Sequence, residues 1–288
     1  MPCVTRAGSS ASSWPWARGK MYRQHSVTGR SQISLMRSST PLQVYLIREV
    51  GITGTSGSVA RLRRRCLSVN CPDMFQARLD ILPPAQASLW PLLTEVPAQF
   101  VLYGGTALAL RLGHRFSVDF DFFSAASFDA EALQQSLSLM RHAEVLQKTA
   151  NTLTVRTPGG VRLSFFGGLS LGQIEHPAVC ADNSLHIAGL KDLFATKLNV
   201  IYQRSEAKDY RDVDALIQAG LPLALGLGCA RAVYGSSFNI MLPLKALAYF
   251  ADGDLPSLLA ETKARLLAAT RSVQDVPVAT CCSDRIGC

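Results

Sequence analysis

The sequence has no long apolar run, no paired metal-binding cysteines and little acid in its first quarter. Its apolar stretches fall short of the roughly 18 residues that cross a membrane, and Lys245 interrupts the last of them. No CxxC pair occurs, which argues against a structural zinc site. A secretory signal core is also missing, so export is not expected. With 48% hydrophobic residues in 288, the chain can bury a sizeable core, which excludes wholesale disorder.

The few acids are also unevenly placed. Residues 1–73 hold 11 Lys or Arg but only two acids, a net charge of +9. Residues 74–288 hold 18 basic and 19 acidic residues, a net charge of −1. Excess positive charge is typical of nucleic-acid-binding proteins. Here it belongs to the first 73 residues and not to the body of the chain.

Residues 1–73 are rich in Ser and Arg and have no sustained periodicity, so we expect a disordered basic leader. The arginine run at 61–65 fits a nucleic-acid patch or a targeting signal, and the whole segment fits an organellar transit peptide in composition. A non-native extension upstream of a start at Met74 explains the leader best, with a functional basic arm as the alternative. At the other end, 276–288 is predicted to be a disordered tail.

Eight cysteines would fit a disulfide scaffold, but six of them lie in the two terminal segments. Only Cys180 and Cys229 belong to the body, where His176 and Cys180 supply at most half of a metal-ligand set. We therefore expect a reducing, cytoplasmic setting and no membrane partner.

The body divides into a mixed α/β core over 74–185 and a helical part over 186–275, which is an α+β fold class. Alternation and turn residues predict strands, and 3.6-residue periodicity predicts helices. The main predicted strands are 100–103, 117–123, 151–157 and 161–166. The main predicted helices are 84–96, 106–113, 129–141, 189–203, 206–219, 223–234, 240–250 and 255–271.

The strand at 117–123 carries two carboxylates on one face. Side chains two apart on a strand point the same way, so Ser117, Asp119 and Asp121 share that face. Neighbouring carboxylates raise each other's pKa unless a cation lies between them, and oxygen ligands at this spacing suit Mg²⁺. The pair is a candidate metal site for in-line phosphoryl chemistry. A solvated strand face is the alternative.

A Gly-Gly-Thr turn, Gly104 to Thr106, closes the preceding strand and opens a helix. Unpaired N–H groups at a helix start attract phosphate, and glycine lets a phosphate chain approach the backbone closely. An ordinary tight turn capped by Thr106 would explain the turn by itself. Followed a dozen residues later by the two strand carboxylates, the turn predicts a triphosphate-binding site.

A third group of candidate site residues lies on the predicted helices at 189–203 and 206–219. Lys197 falls on the apolar stripe of the first helix, where a lysine needs an anion such as phosphate or a place at the edge of the core. Asp209 and Asp212 share one face of the second helix. Each is a candidate to pair with Lys197 or to act as base on an incoming hydroxyl. A salt-bridged helix surface is the alternative.

The combined motifs YGGTALALRLGHR, SVDFDFF, LFATKLNVIYQR and AKDYRDVDAL resemble the AbiEii/AbiGii toxin-type nucleotidyltransferases of the DNA-polymerase-β-like superfamily. The resemblance covers roughly 78–270. It implies a polymerase-β-like nucleotidyltransferase core with a mixed sheet, followed by an all-helical C-terminal part. It further implies Mg²⁺-dependent transfer of a nucleotide from an NTP, in some relatives to the 3′ end of tRNA, and a separately encoded antitoxin.

The resemblance also implies roles for particular residues. Nucleotide binding falls to Gly104, Gly105, Thr106 and Ser117, metal binding to Asp119 and Asp121, and the rest of the catalytic set to Lys197 and Asp209, with Asp212 as the competing assignment. One position departs from the superfamily pattern, because Ser164 on the strand 161–166 stands where a third carboxylate is expected.

Two other functions stay open. One is nucleotidyl transfer to a small molecule, such as an antibiotic hydroxyl. The other is a catalytically silent nucleotide-binding module, which Ser164 favours. Since the body is nearly neutral, a tRNA would be held by local positive side chains such as Arg111, His114 and Arg115.

Overall fold

The computed structural model describes residues 74–287. The predictions for residues 1–73 lie outside that range. Eight strands are present in it: β1 (Met74–Phe75), β2 (Val101–Tyr103), β3 (Asp119–Phe123), β4 (Glu144–Thr149), β5 (Thr152–Arg156), β6 (Arg162–Phe166), β7 (Ala178–Cys180) and β8 (His186–Ile187). They form one mixed sheet in the order β1-β7-β8-β2-β3-β6-β5-β4.

The same range contains eight α-helices, with short 3₁₀ turns between some of them. They are α1 (Pro84–Leu89), α2 (Gly104–Leu112), α3 (Ala130–Ser136), α4 (Leu190–Val200), α5 (Ala207–Gln218), α6 (Leu223–Tyr234), α7 (Met241–Leu247) and α8 (Ala260–Arg271). From α4 onward the chain is helical. The expected mixed sheet with a helical C-terminal part is therefore confirmed.

Strand β3 lies in the interior of the sheet and sets the position of the candidate site. It runs antiparallel to β2 and parallel to β6. Phe120 and Phe122 point into the core, where Phe122 stacks on Phe165 of β6 at 4.7 Å between ring centroids. Because side chains alternate along a strand, burial of these phenylalanines fixes Asp119 and Asp121 on the opposite face, as predicted.

Four strands were not predicted from the sequence. Strand β4 is exposed along its whole length at the sheet edge, and β1, β7 and β8 have only two or three residues each. Strand β8 pairs with both β7 and β2. The expected boundary between core and helical part, between 185 and 186, falls directly before this strand and so within the sheet.

Parts of the tail at 276–287 contact the body, in a segment where the sequence predicts disorder. Ser283 forms an isolated antiparallel bridge with Gln173, and Ile286 is only 3% exposed. The buried side chain of Gln173 also accepts a hydrogen bond from the N–H of Gly287, at 2.7 Å. These attachments join segments that are far apart in the chain, which the composition of the tail does not reveal.

Within 74–287, no single helix is long and apolar enough to span a membrane. Helices α5 and α6 meet the length and composition test only together, as a pair bent by 115°. The cysteines at 180, 229, 281 and 282 are free thiols.

Candidate active site

The glycine turn lies directly against the carboxylate strand because β2 and β3 are neighbours. Tyr103, the last residue of β2, lies opposite Asp121 in the register, and Gly104 follows it. Gly104 has a φ of +74°, and a Cβ at this position would lie 2.6 Å from Asp121 Oδ2. Both the backbone conformation and the close approach require glycine.

The next two residues of the turn connect it to the start of β3. A Cβ on Gly105 would lie 3.1 Å from the hydroxyl of Ser117, so Ser117 is beside the turn. Thr106 is buried, and its hydroxyl donates a hydrogen bond to the main-chain oxygen of Asp119. Thr106 does not cap the helix, because α2 begins at Gly104. Its side chain is instead bonded to the aspartate strand.

The two strand carboxylates differ in their surroundings. Asp119 is 28% exposed in its side chain and accepts a hydrogen bond from Arg162 at 2.5 Å. Burial, followed by the charge of Asp119, raises the pKa of Asp121 to about 6, although Arg162, Lys197 and Arg204 oppose the rise. A raised pKa means that the negative charge on Asp121 is poorly compensated.

This donor set fits a divalent cation. Asp119 and Asp121 offer hard oxygen ligands on one strand face, and a cation between them would relieve the repulsion that raises the pKa of Asp121. The described part of the chain contains no cluster of three or more His, Cys, Asp or Glu that could hold a metal. Water and substrate phosphates would therefore complete the shell, as is usual for Mg²⁺.

Ser164 lies on the strand next to β3, as expected from the sequence. In the parallel register of β3 and β6, it is opposite Asp121, and it is buried. The position at which the wider superfamily carries a third carboxylate therefore holds a hydroxyl in this chain.

Lys197 is buried, as its place on the apolar stripe of α4 predicts. Its Nζ lies 2.8 Å from Asp209 Oδ1 and 2.6 Å from Asp212 Oδ2. Both acids of α5 thus pair with Lys197. The sequence had left open which of the two would do so. Burial alone would lower the pKa of Lys197, but Asp212 and Asp209 outweigh it and raise the pKa above its usual value.

Asp212 is also held by two side chains that follow α2. Arg115 donates to both carboxylate oxygens, at 2.6 and 2.8 Å, and His114 Nε2 lies 2.7 Å from Oδ1. The side chains of Arg115 and His114 are only 15% and 11% exposed. Both side chains are interior partners of Asp212, so the expected use of these two residues as a surface grip for tRNA does not fit their position.

Neither acid of α5 is arranged as a general base. Burial would raise the pKa of Asp209, but Lys197 and Arg204 hold it below its usual value. Burial would also raise the pKa of Asp212, but Lys197, His114 and Arg115 hold it far below its usual value. A base must accept a proton near neutral pH, which both carboxylates resist. Both carboxylates instead contact the buried ammonium group of Lys197.

Sequence reasoning did not single out two arginines beside the site. Arg162 contacts Asp119, and pairing the predicted strands 117–123 and 161–166 in parallel would have found it. Arg204 donates to Asp209 through Nε at 2.8 Å and contributes to the electrostatic field at Asp121. Arg204 lies seven residues after Lys197, which is two helical turns, but it lies beyond the end of α4.

The chain matches the family described as nucleotidyl transferase AbiEii toxin of type IV toxin–antitoxin systems over residues 93–276. An uncharacterised protein of Aquifex aeolicus (strain VF5) is 33% identical over 156 residues, which cover 53% of this chain and 74% of that protein.

Two solved structures are similar to this chain at low identity. The nucleotidyltransferase toxin MenT4 of Mycobacterium tuberculosis H37Rv is 19% identical with a TM-score of 0.48, covering 67% of this chain and 82% of its own. An antigenic nucleotidyltransferase-like protein of Paracoccidioides brasiliensis is 18% identical with a TM-score of 0.41, covering 67% of this chain and 95% of its own.

The family match includes the glycine turn, both strand carboxylates and the buried lysine with its two acids. This chain therefore belongs to the AbiEii family of nucleotidyltransferase toxins.

Proposed function

We propose that this protein transfers a nucleoside monophosphate from an NTP to a hydroxyl at the 3′ end of a tRNA, as the toxin partner of a separately encoded antitoxin. The observation that carries the proposal is the contact of Gly104 with Asp121. A turn that can bind phosphate and a carboxylate pair that can bind a cation lie side by side there, as nucleotidyl transfer requires. Membership in a toxin family supports the toxin role.

The reaction is an in-line displacement at the α-phosphorus. The acceptor oxygen forms a new bond to this phosphorus, the bond from it to the β-phosphate oxygen breaks, and pyrophosphate leaves while the hydroxyl loses its proton. Mg²⁺ held by Asp119 and Asp121 would supply charge neutralisation for the phosphates. The N–H groups of Gly104 and Gly105 bind the triphosphate at the start of α2, with Ser117 beside them.

The buried ion cluster of Lys197, Asp209 and Asp212 supports this chemistry through its charges. In this proposal Lys197 offsets negative charge near Asp121, and Asp209 and Asp212 hold Lys197 in place through the contacts at 2.8 and 2.6 Å. Asp209 acts as a positioning residue. Since NTPs and tRNA are cytoplasmic substrates, the proposal includes a cytoplasmic location.

Incubation of the full chain with each of four labelled NTPs, Mg²⁺ and deacylated tRNA tests the proposal, with total RNA and a small-solute fraction as parallel acceptors. We expect label on tRNA that depends on Mg²⁺. Asp119→Ala should lower turnover by about 100-fold or more and keep the fold. The control Asp80→Ala, at an exposed carboxylate, should leave turnover unchanged.

Other outcomes identify other functions. Label only in the small-solute fraction would replace tRNA by a small-molecule acceptor. NTP binding measured by calorimetry without transfer to any acceptor would identify a catalytically silent module. Full activity of Asp119→Ala would refute the proposed site.

A further inference from the structure

On the sheet face that carries Asp119, the next two strands place arginines in line with it. Strand β6 lies on the side of β3 that faces away from β2 and its glycine turn. In the register, Asp119 lies opposite Arg162 of β6, which lies opposite Arg156 of β5. Paired residues of neighbouring strands share a face, so these three side chains form one row across the sheet.

Arg162 has N–H donors that its contact with Asp119 does not use. One nitrogen, Nη2, donates to Asp119, while Nε is buried and has no hydrogen-bond partner. The side chain as a whole is 38% exposed, so it is accessible from the site. A guanidinium has five N–H donors in a fixed fork that matches a phosphate. The single bond from Nη2 to Asp119 leaves donors of this part-exposed guanidinium for a further anion.

The position of Arg162 relative to the glycine turn indicates which substrate it meets. In an in-line displacement the attacking and leaving oxygens lie on opposite sides of the phosphorus. If the glycine turn on the β2 side holds the leaving pyrophosphate, the acceptor approaches from the β6 side. There it meets Arg162, and Ser164 in place of a third carboxylate.

We propose that Arg162 binds a phosphate of the acceptor, namely the last internucleotide phosphate of an RNA end, next to the hydroxyl that reacts. This inference rests on the proposed nucleotidyl transfer and specifies its acceptor. A polycationic acceptor is disfavoured, because the nearest acid beyond Arg162 on this row is Glu144, which pairs with Arg156. A neutral nucleoside end lacks the group that Arg162 recognises.

Two RNA oligonucleotides that differ only in their last linkage test the proposal. One has a phosphodiester there and the other an uncharged methylphosphonate. We measure the acceptor KM and kcat with NTP and Mg²⁺, and the Kd of each RNA by fluorescence anisotropy without NTP. The wild-type protein should prefer the phosphodiester by about tenfold in KM and Kd, the size expected for one charge-assisted contact.

Substitutions assign the preference to one side chain. Arg162→Gln should bind both RNAs equally, and Arg162→Lys should retain part of the preference. Arg156→Gln is the matched control, because it removes a positive charge from the same row one strand further out. It should keep the full preference.

Two results would overturn the inference: equal binding of both RNAs by the wild type, or an unchanged preference in Arg162→Gln. A preference that Arg156→Gln also abolishes would identify a general charge effect and overturn it as well. If no acceptor is labelled at all, the proposed transfer fails. The anisotropy values then still decide whether Arg162 recognises an RNA phosphate.

Discussion

Gly104 lies so close to Asp121 that a Cβ at position 104 would come within 2.6 Å of the carboxylate oxygen Oδ2. Gly160 has almost the same backbone, with φ of +79° against +74°, but a Cβ there would meet nothing within 4 Å. A substitution at Gly160 therefore tests backbone strain alone, whereas one at Gly104 tests strain together with contact with Asp121.

Gly160→Ala should cost only the backbone strain of an L-residue at positive φ, about 1–2 kcal/mol in the free energy of unfolding, and should retain activity. Gly104→Ala should cost more and also displace Asp121, so that nucleotidyl transfer falls sharply. Urea denaturation and a transfer assay on both variants check this. Equal losses of stability and full activity in Gly104→Ala would contradict the contact.

Thr106→Val should leave the main-chain oxygen of Asp119 without its donor. Because the two side chains have nearly the same shape, the loss reports the hydrogen bond, about 1–2 kcal/mol in unfolding free energy. Activity should fall as well, since Asp119 begins the strand that this bond positions. Thr106→Ser keeps the hydroxyl and should retain activity. A Thr106→Val variant as active as Thr106→Ser would show that the bond does not position Asp119.

Asp121→Asn should stabilise the protein in a pH-dependent way. The pKa of Asp121 is raised in the folded state to about 6, from 3.8, so its protonated form favours folding. That stability is fully present below pH 3.8 and is lost as pH rises through about 6. Asparagine carries no charge, so Asp121→Asn should gain about 1–2 kcal/mol over the wild type between pH 4 and pH 7.5. Chemical denaturation in EDTA across this range checks it, and a difference independent of pH would contradict it.

Asp212→Asn should be strongly destabilising. The carboxylate is fully buried and accepts bonds from Lys197 and Arg115, which would then face a neutral group. Breaking a buried ion pair from one side costs about 3–5 kcal/mol. Asp252→Asn, at an exposed position, should change stability by no more than about 0.5 kcal/mol. A loss below about 1 kcal/mol in Asp212→Asn would mean that the cluster contributes little to folding.

The local parts of the site could be predicted from the sequence because their signals are local. Alternation along 117–123 placed Asp119 and Asp121 on one face, and the apolar stripe of α4 placed Lys197 inward. The strand that carries Ser164 was also aligned correctly with β3. The catalytic roles of these residues remain predictions.

The remainder depends on contacts between distant segments. Arg115 follows α2, yet it binds Asp212 from 97 residues away, and nothing in the local pattern distinguishes an interior arginine from a surface one. Strand β4 is solvent-exposed on both faces and so lacks the apolar alternation that indicates a strand. Strand β8 has only two residues, which is too short for any periodic signal.

The buried ion cluster also connects the two parts of the chain. Arg115 comes from the α/β part, Lys197 and Asp212 come from the helical part, and β8 fills a gap in the sheet between β7 and β2. A fragment ending near 185 would lose the strand beside β2 and leave Arg115 without its carboxylate. The boundary between the two parts of the chain thus crosses both the sheet and the ion cluster.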